Sequence, residues 1–254
     1  MPWINLDGAV NVRDLGGLPT ADGGAIADGR LLRADNLQDL TEADVTRLVH
    51  DIGVTTVVDL RSMAELSREG PAPLDVVTGV RHAHHPVLPE LGEATDVVAD
   101  ALLARREADR TRYPSDPLTG HYLGYLEERP EQVAAAVRSI ASSEGAALVH
   151  CAAGKDRTGV LVALVLSAVG VPAEAVVADY AATGERVDAV LDRLRRSRTY
   201  ARDIDSQPAA AHTPRPETMA AFLEQLDAKH GGAVGWLAAH GSGDELPQLR
   251  AKLL

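Results

Sequence analysis

Among 254 residues there is one cysteine, which excludes an internal disulfide, leaves the compartment open and suits the cytoplasm. Positive charge is also short: 25 Lys and Arg face 37 Asp and Glu, a net charge of −12. General nucleic-acid binding relies on an electropositive face, so that class is disfavoured. Any anionic ligand has to be drawn in by a local basic patch rather than by the field of the whole molecule. Long apolar runs are missing too. The most apolar stretch, Gly159 to Ala173, falls short of the ~20 residues a membrane-spanning helix needs and reads as a central core helix. The start, MPWINLDGAV, has no basic segment followed by an apolar one, so no secretory signal is visible. A cytoplasmic protein is expected, with export by a route lacking a cleavable signal left open. No internal repeat or low-complexity tract stands out. With 45% hydrophobic residues, the chain can bury the core of a single domain spanning 1–254 that folds without a cofactor. Its oligomeric state is not legible.

Short strand signals come first and helices dominate later. Gly16-Gly17 and Asp22-Gly23-Gly24 break residues 9–34 into short extended segments. Thr41-Glu-Ala-Asp44 caps a helix running to His50, Gly53 ends it, and an apolar strand follows over 54–60. Ser62-Met-Ala-Glu65 repeats the capping pattern. A strand over 80–87, a helix over 130–142, a strand over 145–150 and a helix over 158–169 continue the series, the last stopped by Gly170 and Pro172. Further helices are expected at 173–182, 185–197 and 216–229, with 199–214 a loop near the site. The alternation predicts an α/β fold, a largely parallel central sheet flanked by helices, with a helical C-terminal third. Residues 91–117, with the Ala/Arg/Glu-rich stretch Asp100 to Arg112, suggest a helical lid, or else an ordinary solvated helix.

Between the last strand and the core helix stands His150-Cys-Ala-Ala-Gly-Lys-Asp-Arg-Thr-Gly159. Here the only cysteine lies six residues before an arginine, in a strand-to-helix loop. A thiol near pKa ~8.5 is mostly protonated at pH 7, whereas the thiolate is the nucleophile. Backbone N–H groups of Ala152, Ala153, Gly154, Lys155, Asp156 and Arg157 can converge at a helix N-terminus, where free donors and the dipole favour an anion. Lowering that pKa to ~5.5 takes about 4 kcal/mol, within the range of thiols so placed. Arg157 brings a planar fork for two non-bridging phosphate oxygens and stays charged throughout. Such donors, fixed in advance, stabilise a phosphoryl-transfer transition state. Gly154 permits a tight turn, Gly159 permits the helix to pack close to the strand, and Thr158 offers a hydroxyl near the sulfur. The pattern predicts a nucleophile in a phosphate-cradling loop.

At these residues the chain resembles the cysteine-dependent protein tyrosine phosphatases, whose signature HCxxGxxR is followed by Ser or Thr. With Lys155-Asp156 included, it is similar to a bacterial subgroup typified by mycobacterial protein tyrosine phosphatase B. Asn11-Val-Arg-Asp-Leu-Gly-Gly17, Leu32-Arg-Ala-Asp35, Val58-Asp-Leu-Arg61 and Arg215-Pro-Glu-Thr-Met219 also match, while Val12 departs from the phenylalanine common there. The resemblance implies a tyrosine-phosphatase-like fold and a helical insertion over the site. It also implies a phosphoester hydrolase working through cysteinyl-phosphate on phosphotyrosine, and extending to phosphoserine/threonine and phosphoinositides. Residues matching Lys155, Asp156 and Asp59 line the active site of that subgroup, with the loop aspartate favoured as acid.

The leaving oxygen needs a proton. Asp156 can supply it if a neighbouring dianion makes it keep one. Asp59, at the carboxyl end of its strand, where ligands of α/β sheets gather, is the rival. Lys155 is either a cation at the loop rim favouring polyanionic headgroups or a solvated lysine balancing Asp156. His150 reads as a hydrogen-bonding support rather than a base. His82, His84 and His85 resemble a metal cluster, but strand alternation puts only two on one face, so structural roles and no metal are expected. Arg13 with Asp14 and Arg33 with Asp35 read as ion pairs beneath the site, and Arg195, Arg196 and Arg198 as a solvated helix face. A sulfurtransferase and an inactive phosphate-binding module are the alternatives to a phosphatase. The Cys-to-Arg spacing and the following threonine favour phosphate.

Overall fold

Two short apolar runs make the centre of the molecule. In the computed structural model, which describes residues 3–88, 113, 116–204 and 208–254, these are Val54–Asp59 (β3) and Ala146–His150 (β5). They pair in parallel, Asp59 opposite His150. Arg13–Asp14 (β1), Leu31–Ala34 (β2) and Arg81–His84 (β4) complete a sheet of order β1-β2-β5-β3-β4. All neighbours are parallel except β1 against β2.

Strand alternation divides the apolar residues between two cores. Ala147 and Val149 face one with Val58, Leu31 and the helices that follow β4. Ala146 and Leu148 face the other with Val54, Val57, Leu32 and the N-terminal segment. A strand covered on both sides reads as a continuous apolar run, as β5 does.

Glu42–Thr46 (α1) continues into a wider turn over Arg47–Asp51, and Met63–Glu69 (α2) follows β3. Both capping boxes form, Thr41 with Asp44 and Ser62 with Glu65. Beyond β4 come Pro117–Glu128 (α3), Pro130–Ala141 (α4), Asp156–Ala168 (α5), Ala173–Ala182 (α6), Val187–Arg196 (α7), Ala201–Ile204 (α8), Pro216–His230 (α9), Gly232–Ala239 (α10) and Leu246–Leu253 (α11). In α5 every residue but Ser167 is buried, as expected of a helix apolar on all sides. Among the described residues no helix is long and apolar enough to cross a membrane.

The differences from expectation are instructive. Helix α5 begins at Asp156 rather than Thr158, because the loop itself winds into the first turn, where Gly159 N–H donates to Lys155 C=O at 2.9 Å. Strand β4 is half the expected length. The stretch 199–214 is not a plain loop: it holds α8 and a 3₁₀ turn at Ala209–His212. Helices α3 and α10 carry Gly120, Gly124 and Gly235, which weaken a helix signal locally; packing overrides it. The expected lid lies outside the described residues over 91–112.

Candidate active site

Cys151 follows the last residue of β5 and is buried. The loop from Cys151 to Lys155 leaves between the carboxyl ends of β2 and β3, since Ala34 and Asp59 are both register partners of His150. Three consecutive carbonyls of this loop are held from outside. Asn36 N–H donates to Ala152 O at 2.9 Å, Asn11 Nδ2 to Ala153 O at 2.8 Å and Arg33 Nη2 to Gly154 O at 2.6 Å. In a trans peptide the N–H points opposite its carbonyl, so tethering the carbonyls outward turns the following amides inward.

Gly154 has φ +67°, and a Cβ there would lie 2.4 Å from Ala34 O. Only glycine accepts both conditions. Gly159 serves a different contact from the one expected: a Cβ on it would lie 3.0 Å from the Tyr180 ring, so it admits α6, not the strand.

Beneath the loop, Arg13 and Arg33 share one carboxylate. Arg13 Nε meets Asp179 Oδ1 at 2.8 Å, Arg13 Nη2 donates to Asp179 O at 2.7 Å, and Arg33 Nη1 pairs with Asp179 Oδ2. Arg13 Nη1 also donates to Asn11 Oδ1 at 2.8 Å, fixing the side chain that holds Ala153. Burial, together with the charge of Arg33, pushes Arg13 down to about 10. Burial alone would raise Asp179, but the two guanidiniums hold it below its ordinary value. The expected partners are therefore corrected. Asp14 accepts from Gly16 and Gly29 N–H, and Asp35 accepts from Val10 and Asn11 N–H and pairs with Arg193. The cause is strand geometry: adjacent residues on β1 point to opposite faces, and Asp179 arrives from α6, 166 residues away from Arg13.

Arg157, buried in the first turn of α5, meets Glu65 of α2 fork to fork, Nη1–Oε2 at 2.7 Å and Nη2–Oε1 at 2.8 Å. Glu65 also accepts from Ser62 N–H at 2.7 Å and from Tyr200 Oη at 2.8 Å. Burial would raise its carboxyl; Arg157 and these donors hold it below the ordinary range. Burial, then the charge of Glu65, keeps Tyr200 well above the usual phenol range. Thr158 Oγ1 is buried with no hydrogen-bond partner among the described residues, so its hydroxyl is uncommitted.

The two carboxylates proposed as acids sit in opposite settings. Asp59 is clamped by Arg61, Nε–Oδ1 at 3.0 Å and Nη2–Oδ2 at 2.6 Å, and lies 3.4 Å from His150 Nε2. Burial opposes its charge, but His150 and Arg61 hold it well below the ordinary carboxylate value, committing it as an anion. Asp156 is also buried, but its oxygen meets a phenol: Tyr122 Oη donates to Oδ1 at 2.5 Å, with Lys155 Nζ at 3.6 Å. Lys155 is not solvated. It is buried and donates to His212 O at 2.9 Å.

The remaining sequence candidates fall into place as supports. His82 contacts Asp75 and Leu74 O, His84 contacts Arg61 O, and His85 contacts the Ser139 hydroxyl. His150 Nδ1 lies 3.4 Å from Cys151 O. Arg195, Arg196 and Arg198 are exposed, while Arg193 beside them is the buried anchor to Asp35. The sequence reading missed Asn11, Glu65, Tyr122, Asp179, Tyr180, Arg193 and Tyr200 as members of the site. Glu65 had a local signal, its place in a capping box, and Asn11 stood in a matching stretch; the others had none.

A family model described as the tyrosine phosphatase family matches residues 4–254. The triple specificity protein phosphatase PtpB of Mycobacterium tuberculosis is 28% identical over 260 residues, covering 91% of each chain. A tyrosine-protein phosphatase of Nostoc commune is 28% identical over 246 residues, covering 92% of this chain and 78% of its own.

Proposed function

The chain belongs to the tyrosine phosphatase family and is a protein-tyrosine-phosphatase enzyme, and on that premise we propose that it hydrolyses phosphoesters through a cysteinyl-phosphate on Cys151. Cys151 Sγ attacks phosphorus as a thiolate, forming the S–P bond while the ester P–O bond breaks. Arg157, the inward amides of Ala153, Gly154 and Lys155 and the amides of the first helical turn take the three equatorial oxygens. Asp156 protonates the departing oxygen, then removes a proton from the water that attacks the cysteinyl-phosphate and restores the thiolate. Thr158 donates its uncommitted hydroxyl to the leaving sulfur.

The observation carrying this reading is the loop with its carbonyls at 152, 153 and 154 all occupied from outside, next to a guanidinium already oriented by Glu65. Asp156 is assigned the acid in preference to Asp59 because a group locked as an anion by a guanidinium has no proton to give. Lys155, tethered within reach of Asp156, is assigned to that carboxylate rather than to an open rim.

Phosphotyrosine is the primary substrate class. The relative whose name carries triple specificity supports extension to phosphoserine/threonine, with phosphoinositides a third arm. A panel of phosphotyrosine and phosphoserine peptides and a phosphoinositide, run with Cys151→Ser beside the wild type, tests both levels. Hydrolysis lost in Cys151→Ser, with ³²P trapped on the wild-type protein in acid quench, is expected. Turnover that survives the substitution, or thiosulfate turnover without phosphoester hydrolysis, overturns the reading. Selective loss of phosphoinositide turnover in Lys155→Ala would return Lys155 to the rim.

A further inference from the structure

Asp156 presents a physical difficulty. Its side chain is buried, 3% exposed as a residue, yet the reaction proposed above requires it both protonated and ionised. A buried carboxyl satisfied in only one of these states is destabilised in the other. Lys155, at 3.6 Å, has donors only and so favours the ionised form alone.

Tyr122 can serve both. Its hydroxyl lies between Asp156 Oδ1 at 2.5 Å and Tyr180 Oη at 2.8 Å, and a phenol both donates and accepts. With Asp156 ionised, Tyr180 donates to Tyr122 and Tyr122 donates to the carboxylate. With Asp156 protonated, both hydrogen bonds reverse, and no member of the chain loses its partner. Packing alone does not call for the hydroxyls. The Tyr122 ring lies edge-on to Phe222 and to Tyr180, contacts that phenylalanine would make equally well.

We infer that Tyr122, backed by Tyr180, is a positioning residue that holds Asp156 in place through both of its protonation states. This rests on the assignment of Asp156 as proton donor. The groups facing the chain are consistent with it. Arg33 lies below at Gly154 O, Asp179 is taken up by Arg13 and Arg33, and the His212 ring is bonded to Ile204 O. The charges of Arg33 and Arg215 act on Tyr180. Burial, then the charge of Asp156, pushes Tyr122 well above the usual phenol range, and Tyr180 is pushed up by the same two causes. Both causes favour the neutral phenols.

The test follows the Asp156 carboxyl carbon by ¹³C NMR through a pH titration of wild type, Tyr122→Phe and Tyr180→Phe. Rate profiles are taken on an alkyl phosphate and on p-nitrophenyl phosphate. Tyr122→Phe removes a partner from both forms, but the hydrogen bond to the charged carboxylate is the stronger of the two, so Asp156 should keep its proton to higher pH. The basic limb of the alkyl phosphate profile should move with it, kcat should fall several-fold, and p-nitrophenyl phosphate should change least. Tyr180→Phe, which leaves the inner hydrogen bond, should shift the same titration less. An Asp156 titration in Tyr122→Phe that coincides with wild type overturns the inference, whatever Asp156 does in catalysis. A basic limb and leaving-group dependence that persist in Asp156→Asn would instead remove the donor assignment, a separate outcome.

Discussion

Glu65 and Arg157 meet with two parallel hydrogen bonds, Nη1–Oε2 at 2.7 Å and Nη2–Oε1 at 2.8 Å, both side chains buried. The same carboxylate closes the capping box of α2 through Ser62 N–H. One residue thus fixes the start of a helix after β3 and the orientation of a guanidinium in the loop after β5. A bidentate pair fixes the guanidinium plane as well as its position, so the pose of Arg157 is set before any ester arrives.

Glu65→Gln can still accept at one oxygen but cannot mirror the fork. We expect kcat/KM on p-nitrophenyl phosphate to fall about tenfold or more, ~1.4 kcal/mol of transition-state stabilisation. Glu65→Ala, which strands a buried charge, should lose about 3–5 kcal/mol in denaturant unfolding. Wild-type kcat/KM in Glu65→Gln would show that Arg157 needs no partner to hold its pose.

Asp179→Asn leaves Arg13 and Arg33 buried against a neutral amide and should destabilise by about 3–5 kcal/mol. The pH dependence has a definite sign. Asp179, Glu65 and Asp59 are all held below their ordinary values of 3.8, 4.5 and 3.8. Their contribution to stability is therefore complete above those values and is lost as pH falls through the lower folded values. Tm should be nearly level from neutral pH to about 5 and drop on the acid side, with a shallower drop in Asp179→Asn. An acid limb of equal steepness in the variant would remove Asp179 from this account.

Gly154→Ala places a methyl 2.4 Å from Ala34 O at φ +67°. The backbone has to move, and a displacement of about 1 Å in a positioned group can cost ~10²-fold in rate. We expect kcat/KM to fall by about that factor with phosphate affinity weakened in parallel, measured by steady-state kinetics and by calorimetry with inorganic phosphate.

Asp59→Asn and Asp156→Asn should separate by leaving group. Loss of the acid slows alkyl phosphates far more than p-nitrophenyl phosphate, steepening the plot of log kcat against leaving-group pKa. Loss of the Asp59 charge removes its pairs with Arg61 and His150 and should lower both rates alike, together with Tm. A steepened plot in Asp59→Asn instead would exchange the two assignments.

The site was legible where chemistry is local in the chain. Cys151, Gly154, Arg157 and Thr158 fall within eight residues between a strand and a helix, so their spacing describes the loop. Asp156 was ranked ahead of Asp59 on the resemblance, but the physical ground for that order depends on partners the sequence does not show: Tyr122 lies 34 residues from Asp156, and the guanidinium of Arg61, though near in sequence, clamps Asp59 only through its fold. Arg13 and Arg33 were paired with sequence neighbours and in fact converge on Asp179, since charge complementarity in one dimension says nothing of which side chains share a face.

The sequence by itself determined the alternation of strand and helix, the largely parallel sheet and the spacing of Cys151 and Arg157 in the loop between a strand and a helix, because hydrophobic period, capping boxes and glycine placement act over a few residues. The tertiary structure alone decided which donors occupy the loop carbonyls, which carboxylate is clamped and which shares a phenol, and what orients Arg157. Those contacts cross the fold, joining groups as far apart in the chain as Arg13 and Asp179 or Arg157 and Glu65, which meet only once the chain is folded.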